Sequence, residues 1–205
     1  MKAQLHDFMD GKGPVPAHIH TKGGGWVADT AHVHNSAYIG PDAQVFGDAQ
    51  VFGDAWVSGA ALVSGAARVF GDAQVFGAAQ VSGDAWVFGA ARVYGDAWVL
   101  GDARVYGYAW VSGAAQVHGD ARVYGDSWVS GDAWVKRGMY AYTPLSITRS
   151  DGYTFTLQSD GSIVARCRDF TPDEAKARWG NGEYHKHRES MAIISAFNAI
   201  QTARS

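Results

Sequence analysis

The sequence predicts an all-β fold in which residues 27–135 form a parallel β-helix of about six coils. Val, or Ile at Ile39, recurs at every sixth residue from Val27 to Val135 without an insertion, so residues 27–134 hold 18 hexads. The fifth position of each hexad is Ala, except at Ser127, and the third is Gly from the fourth hexad onward. Side chains alternate along a strand, so positions one and five point into the same interior. Gly at position three supplies the positive φ of a corner.

The segment before the repeat, residues 1–26, is predicted to be an irregular arm or cap. Its glycines and prolines, among them Pro14, Pro16 and the run 23–25, disfavour a helix. A solenoid exposes unpaired strand edges at its ends, and these edges need covering. We therefore expect residues 1–26 to cover the first coil.

Four histidines lie close together where this arm meets the first coil. Imidazole is a ligand of zinc and other transition metals, but no cysteine accompanies the four, and their spacing matches no zinc signature. We therefore expect no metal and no other cofactor, and the only metal candidates are His18, His20, His32 and His34.

The segment after the repeat, residues 136–205, is predicted to be a small α+β unit. Three alternating stretches separated by Asp-Gly turns predict a three-stranded antiparallel meander, with strands at Ser146–Arg149, Tyr153–Gln158 and Ile163–Arg168. Thr171-Pro172-Asp173-Glu174 has the pattern of a capping box and predicts a helix to about Trp179. A second helix is expected from about Glu189 to Ala203, because apolar residues recur there at helical spacing.

The outward positions of the hexads predict one unusually aromatic face. With 18 residues in a coil, residues 18 apart stack directly above one another, and positions two and six point outward. We assign one face to the column of position-two aromatics and the position-six residues of the same hexads. This predicted binding face consists of Phe52, Trp56, Phe70, Phe88, Arg92, Tyr106, Trp110, Tyr124 and Trp128.

An outward aromatic surface of this length exceeds what monomers usually expose. Three explanations remain open at the level of sequence. The face is an interface between subunits, it is covered by the C-terminal helix of the same chain, or it binds a ligand or a foreign partner, for which aromatic rings and Arg92 suit stacking on planar groups.

The repeat has a period of six residues with aliphatic and small residues pointing inward, and Ile39-Gly40 has glycine directly after the aliphatic residue. This pattern resembles the hexapeptide-repeat superfamily of left-handed β-helices. The resemblance implies a left-handed coil of three hexads and a homotrimer. Most hexads here place Gly one residue later than the family pattern does, so the corners differ in detail. The best-known members are acyltransferases that use acyl-CoA and a histidine in a cleft between subunits. If this chain were such an acyltransferase, His118 would be its catalytic base.

The repeat has none of the extruded loops that border the active sites of those enzymes. Whether the chain is an enzyme stays open, and a non-enzymatic binding or scaffold protein is favoured over an acyltransferase.

The whole chain also resembles uncharacterised repeat proteins of bacteriophages and prophages. This resemblance is carried by Gly23-Gly-Gly-Trp-Val27, by the Val-Tyr/Phe-Gly-Asp-Ala hexads, and by the tail from Ser150-Asp-Gly-Tyr to Arg168-Asp-Phe-Thr. It implies an accessory protein in a bacterial host. Such a protein would interact with host defence, by binding a host protein or by sequestering a small, nucleotide-like molecule at subunit clefts.

Charge and composition narrow the partners and the compartment. The chain has a net charge of −3, and its repeat section carries four Arg against eleven Asp, which disfavours nucleic acid as a partner. No apolar run is long enough to cross a membrane, and the first residues lack the apolar core of a signal peptide. The one cysteine, Cys167, fits a reducing compartment, so we expect the bacterial cytoplasm.

Overall fold

Valine and alanine fill the interior of a parallel β-solenoid of about six turns, which is followed by a small C-terminal region with an antiparallel sheet and two helices. The structure is a computed structural model and describes residues 4–140, 144–165, 168–180 and 186–204. Cys167 lies outside these residues. No helix within the described ranges is long and apolar enough to cross a membrane.

The strands of the solenoid are short because each is built from position six of one hexad and position one of the next. Some strands extend two residues further, to the glycine of the following corner. In chain order, after the N-terminal strands β1 (Gln4–His6) and β2 (Val15–Ile19), they are β3 (Trp26–Ala28), β4 (His32–Val33), β5 (Tyr38–Ile39), β6 (Gln44–Val45), β7 (Gln50–Gly53), β8 (Trp56–Val57), β9 (Leu62–Val63), β10 (Arg68–Gly71), β11 (Gln74–Val75), β12 (Gln80–Val81), β13 (Trp86–Gly89), β14 (Arg92–Val93), β15 (Trp98–Val99), β16 (Arg104–Val105), β17 (Trp110–Val111), β18 (Gln116–Val117), β19 (Arg122–Val123), β20 (Trp128–Val129), β21 (Trp134–Val135) and β22 (Met139–Tyr140).

These strands stack into three sheets, one on each side of the coil. The first sheet has the order β1-β2-β3-β6-β9-β12-β15-β18-β21, the second β4-β7-β10-β13-β16-β19-β22, and the third β5-β8-β11-β14-β17-β20. Neighbouring solenoid strands are parallel, and Arg68 pairs with Trp86, 18 residues later in the chain. The predicted coil of three hexads is therefore confirmed.

The interior matches the pattern read from the sequence. Every position-one residue from Val45 to Val135 is fully buried, and so is every alanine at position five from Ala49 to Ala133. Alanine is required because three strands converge on one narrow axis, where a larger side chain would overpack the core. Glycine at position three has a positive φ throughout the repeat, +72° at Gly53 for example.

The last coil ends with a shift in register. Arg122 pairs with Met139, one residue earlier than the 18-residue spacing requires, and Val123 pairs with Tyr140. Tyr140 thereby occupies a place that a valine holds in the other coils, and it is fully buried. The bulky ring closes the end of the core, where no further coil follows.

The N-terminal segment is a β-hairpin rather than the irregular arm expected from its glycines and prolines. Strands β1 and β2 pair antiparallel, and β2 also pairs antiparallel with β3, so the hairpin extends the first sheet beyond the first coil. Phe8 folds back from the hairpin and stacks on Phe46, with ring centroids 4.9 Å apart. Strand β2 thereby covers the edge of the first sheet at the first coil.

The C-terminal region contains a four-stranded antiparallel sheet, one strand more than the predicted meander. Its strands are β23 (Ser146–Thr148), β24 (Thr154–Leu157), β25 (Ile163–Ala165) and β26 (Arg168–Phe170). The predicted third strand, Ile163–Arg168, is wrong in extent, because Ala165 and Arg168 belong to different strands that pair with each other. The helices are α1 (Pro172–Trp179) and α2 (His187–Arg204), and the predicted capping box at Thr171 and Glu174 is present.

Gln158 joins this terminal sheet to the end of the solenoid. Its buried amide accepts hydrogen bonds from the Lys136 amide (3.1 Å) and the Tyr140 hydroxyl (2.8 Å), and it donates one to the Trp134 carbonyl (2.8 Å). The Gln158 side chain therefore forms hydrogen bonds with main-chain groups at the last edge of the first sheet. These groups would otherwise lack a partner strand.

Candidate functional site

A continuous stack of five aromatic rings runs along the outside of the second sheet. Consecutive ring centroids lie 4.8 to 5.3 Å apart, and the ring planes are within 10° of parallel. The strand spacing of a β-sheet fixes this separation, because each ring projects from the same position of successive coils. The stack consists of Phe52, Phe70, Phe88, Tyr106 and Tyr124.

The prediction that all nine residues share one face is wrong. Phe52 lies on β7 of the second sheet, whereas Trp56 lies on β8 of the third sheet. The corner at Gly53-Asp54 lies between them. Each side of the coil contains position six of one hexad and positions one and two of the next hexad, so positions two and six of the same hexad lie on opposite sides of a corner. The four predicted residues of the third sheet are Trp56, Arg92, Trp110 and Trp128.

The nine residues therefore flank one corner of the prism on its two sides. We call these nine residues together with Tyr108 the aromatic corner. Tyr108 is 69% exposed at the tip, where most other hexads have Asp or Ala. Sequence reasoning missed it, although it is the one aromatic residue at position four of the repeat.

Arginines on both sides of the aromatic corner lie over tryptophan rings. On the second sheet, Arg68 and Arg104 approach Trp86, with guanidinium carbons 5.0 and 4.9 Å from the ring centroid. On the third sheet, Arg92 lies 5.1 Å from Trp110. Cation–π attraction of this kind favours fixed guanidinium positions at an exposed surface. The predicted binding face does not include Arg68, Trp86 and Arg104, and the structure places them beside the ring stack.

Almost none of the solenoid charges is paired within the described chain. None of the four solenoid arginines forms an ion pair there, and the only solenoid aspartate that does is Asp29, with His18. Arg104 and Arg122 are directly opposite each other on adjacent strands, an arrangement that is unfavourable for like charges. These guanidiniums are therefore available to an external carboxylate or phosphate.

In the part of the chain that the structure describes, the C-terminal helices do not supply the cover that was one explanation for the aromatic residues. Ile194 and Phe197 of α2 are buried with Phe155 of the terminal sheet and Trp179 of α1, and this cluster includes no ring of the aromatic corner. Phe52, Trp56 and Trp128 are 39%, 46% and 48% exposed. Two explanations remain, a subunit interface and a binding surface.

The four candidate metal-binding histidines do not converge on one point. His20 is buried and bonds the Ala37 carbonyl, and its burial lowers its imidazole pKa. His18 pairs with Asp29, and His34 bonds Ser36. In the part of the chain that the structure describes, no group of three or more His, Cys, Asp or Glu side chains is arranged to hold a metal ion.

His118 lies on the first sheet at the junction with the C-terminal region. Its ring meets Trp134 edge-on, with centroids 5.8 Å apart, and its Nε2 is buried without a hydrogen-bond partner among the described atoms. Burial lowers the imidazole pKa, and the nearby Lys136 lowers it further, while Asp169 opposes the shift. Both effects favour the neutral imidazole, and the side chain lies on the first sheet, away from the aromatic corner.

Sequence comparison supports the solenoid and little more. Residues 79–95 and 115–135 match the model of the family described as YdcK Beta solenoid repeat. These two segments are a minor part of the chain, so the match indicates a repeat of similar kind and carries no activity. Among curated proteins, none matches this chain.

Proposed function

We propose that this protein is a non-enzymatic scaffold that assembles with copies of itself through the aromatic corner and uses the assembly to bind a partner. The observation that carries the proposal is the ring stack of the second sheet, which lies beside arginines without ion pairs and is half-buried, with Phe52 exposed. Aromatic residues and arginine are enriched at the centres of protein interfaces.

The geometry of the corner favours a cyclic homotrimer over a twofold dimer. A twofold interface uses the same patch on both copies, whereas a ring of three brings two different patches of each copy together. The aromatic corner has two different sides, the ring stack on the second sheet and the tryptophan row on the third. In a ring, one side would contact the next copy and the other side the previous copy.

Charges beside the second sheet are also spaced for contact between parallel copies. Aspartates at the corner before the second sheet are spaced by one coil, and so are arginines on that sheet. The acidic row of one copy and the basic row of a parallel copy therefore have the same spacing. The acidic row contains Asp84, Asp102 and Asp120, and the basic row contains Arg104 and Arg122. Ion pairs across such an interface would offset the repulsion between the two neighbouring arginines.

The proposal extends to a biological setting through the resemblance of the chain to phage repeat proteins. We propose a bacteriophage or prophage accessory protein, a left-handed hexapeptide-repeat β-helix, that acts in the bacterial cytoplasm. Its partner is a host protein, or a small nucleotide-like ligand taken up at the clefts between subunits. Arginine and tryptophan beside such clefts would suit a phosphate and a base.

Native mass spectrometry of the full-length protein tests the assembly. The expected mass is about three times the 21.9 kDa chain, plus any retained ligand. Phe70→Glu should reduce it to a single chain, because a carboxylate buried against another copy lacks a partner. Ser64→Glu is the matched control, since Ser64 holds the same hexad position in the same coil on the first sheet. A wild-type monomer, or a trimer that survives Phe70→Glu, would contradict the proposal.

A further inference from the structure

The first coil has three strand edges, and the chain covers two of them. On the first sheet, Val27 pairs with His18 of β2. On the third sheet, the Ile39 amide donates to the Lys22 carbonyl (3.0 Å) and the Ile39 carbonyl accepts from the Gly25 amide (2.9 Å). Both Val27 and Ile39 are fully buried.

The third edge, β4 of the second sheet, has no such cover. Within the described residues, β4 is the outermost strand of its sheet and pairs only with β7. His32 and His34 direct their amides toward β7, so the amide and carbonyl of Val33 between them face away from the solenoid. Val33 is also the one position-one residue of the described repeat that is not fully buried.

A groove of about 480 Å³ lies over this edge. Its floor is apolar, formed by Ala31, Val33 and Val51, and its walls carry His18, His32, His34 and Phe52. The groove therefore offers main-chain hydrogen-bonding groups and an apolar floor together, which is what an added β-strand requires.

We propose that β4 is a docking site for an extended peptide segment of a partner protein, which adds to the second sheet as one further strand. The chain's own β2 already adds to the neighbouring first sheet in this way, antiparallel to β3. The proposal does not depend on the self-assembly described above, because it uses the end of the solenoid and not its sides.

The repeat determines the side chains that such a strand should carry. A parallel strand in register places one residue over Ala31 and another over Val33, and both point into the core, so small and aliphatic residues fit there. The residues between and after them point outward next to the exposed imidazoles of His32 and His34. Carboxylates suit these outward places, because imidazole N–H groups donate to them and the one nearby acid, Asp29, is already paired with His18. The partner segment thus has the pattern Ala-Glu-Val-Glu.

A second copy of this chain fits the edge less well. Two β4 strands that paired with each other would bring the histidines of one copy against those of the other. Each neutral imidazole offers one acceptor nitrogen, and that of His34 is already bonded to Ser36, so a second copy supplies fewer acceptors than carboxylates do. A peptide with outward carboxylates supplies those acceptors.

Fluorescence anisotropy with the labelled peptide Gly-Ala-Glu-Val-Glu-Gly tests the site on the full-length protein. Saturable binding is expected. N-methylation of the two Glu amides, which would face Ala31 and Val33, should weaken binding roughly tenfold or more, because the hydrogen bonds to the edge are lost. N-methylation of the Ala and Val amides, which would face solvent, is the matched control and should leave binding within about twofold.

Two variants of the protein give the complementary test. Val33→Pro removes the outward amide and should weaken binding roughly tenfold or more, whereas Val33→Ala keeps that amide and should have a smaller effect. Far-UV circular dichroism checks that both variants retain the solenoid. Absent binding, equal binding by the two N-methylated peptides, or equal binding by the two variants would overturn the proposal. So would a change of oligomer mass on Val33→Pro, since it would show that a second copy uses this edge.

Discussion

Glycine at the corners of the solenoid is required for two reasons, the positive φ and the close approach of the next coil. Two glycines in one column distinguish these reasons. Gly59 and Gly131 occupy the same place in different coils, with φ of +63° and +65°. A Cβ on Gly59 would lie 2.9 Å from the backbone oxygen of Gly77 in the next coil, whereas a Cβ on Gly131 would meet nothing within 4 Å. Gly131 is therefore required for its backbone conformation alone, and Gly59 also for the close approach of neighbouring corners.

We predict that Gly131→Ala lowers the free energy of unfolding by roughly 1–2 kcal/mol, the cost of a left-handed conformation at a residue with a side chain. Gly59→Ala should cost more, because the corner below it must also move. Thermal unfolding of the two variants beside the wild type measures the difference. Equal losses would show that the coils relax freely and that the clash is unimportant.

At the level of elements, α2 is held to the terminal sheet by a carboxylate that bridges its first turn to the loop between β23 and β24. Glu189 accepts hydrogen bonds from the Ser150 amide (3.0 Å), the Ser150 hydroxyl (2.9 Å) and the Lys186 ammonium (2.9 Å). These donors, Lys186 first, lower the pKa of Glu189 from 4.5 to about 2. The guanidinium of Arg149 likewise holds the pKa of Asp151 well below its usual range.

This contact should make the C-terminal region sensitive to acid. The stabilisation by Glu189 is fully present above pH 4.5 and is lost as the pH falls toward about 2, because the unfolded state binds the proton first. We predict that Glu189→Gln reduces the acid dependence of unfolding in this window and leaves stability near pH 7 lower. Tryptophan fluorescence from pH 7 to 2, with Trp179 as the local probe, measures it. An unchanged pH profile in the variant would refute this role.

The elements also show how far the sequence alone predicts this fold. The Val and Ala register predicts the coils, their stacking and the buried valines and alanines from Val45 onward, because a strict period leaves little freedom. It does not predict which outward residues share a face. The six-residue period fits equally well whether Phe52 shares a face with Gln50 or with Trp56. The corner between Phe52 and Trp56 decides this, and it depends on the backbone around Gly53.

Structural features that do not follow the six-residue repeat were also not predicted from the sequence. The burial of Tyr140 follows from a one-residue shift that no hexad predicts. The cover of Ile39 by Lys22 and Gly25 depends on contacts between segments distant in sequence, as does the pairing of β25 with β26. Three of the candidate histidines line one groove, but the described side chains are not arranged to hold a metal ion, which the sequence spacing alone does not predict.

At the scale of the whole molecule, each coil contacts only its neighbours, so insertions of whole hexads should be compatible with folding. We predict that a duplication of residues 81–86 and a duplication of residues 81–98 both keep the solenoid. The shorter insertion turns all later coils by one face and interrupts the ring stack after Phe70, whereas the longer one preserves every column. Only the longer insertion should therefore retain self-assembly.

Far-UV circular dichroism and native mass spectrometry of the two insertion variants measure folding and assembly separately. Assembly of the shorter insertion variant would show that continuity of the ring stack is not what brings the copies together. Loss of the solenoid in both would show that the coils are less independent than their contacts indicate.

The identical spacing of the columns also has a genetic consequence. A coding sequence with so many near-identical hexads invites unequal recombination, which adds or removes whole repeats. Most such events would yield a stable protein, yet two of every three would rotate one end of the molecule relative to the other. Selection for the aligned columns would then act on gene length, retaining changes of three hexads and eliminating changes of one or two.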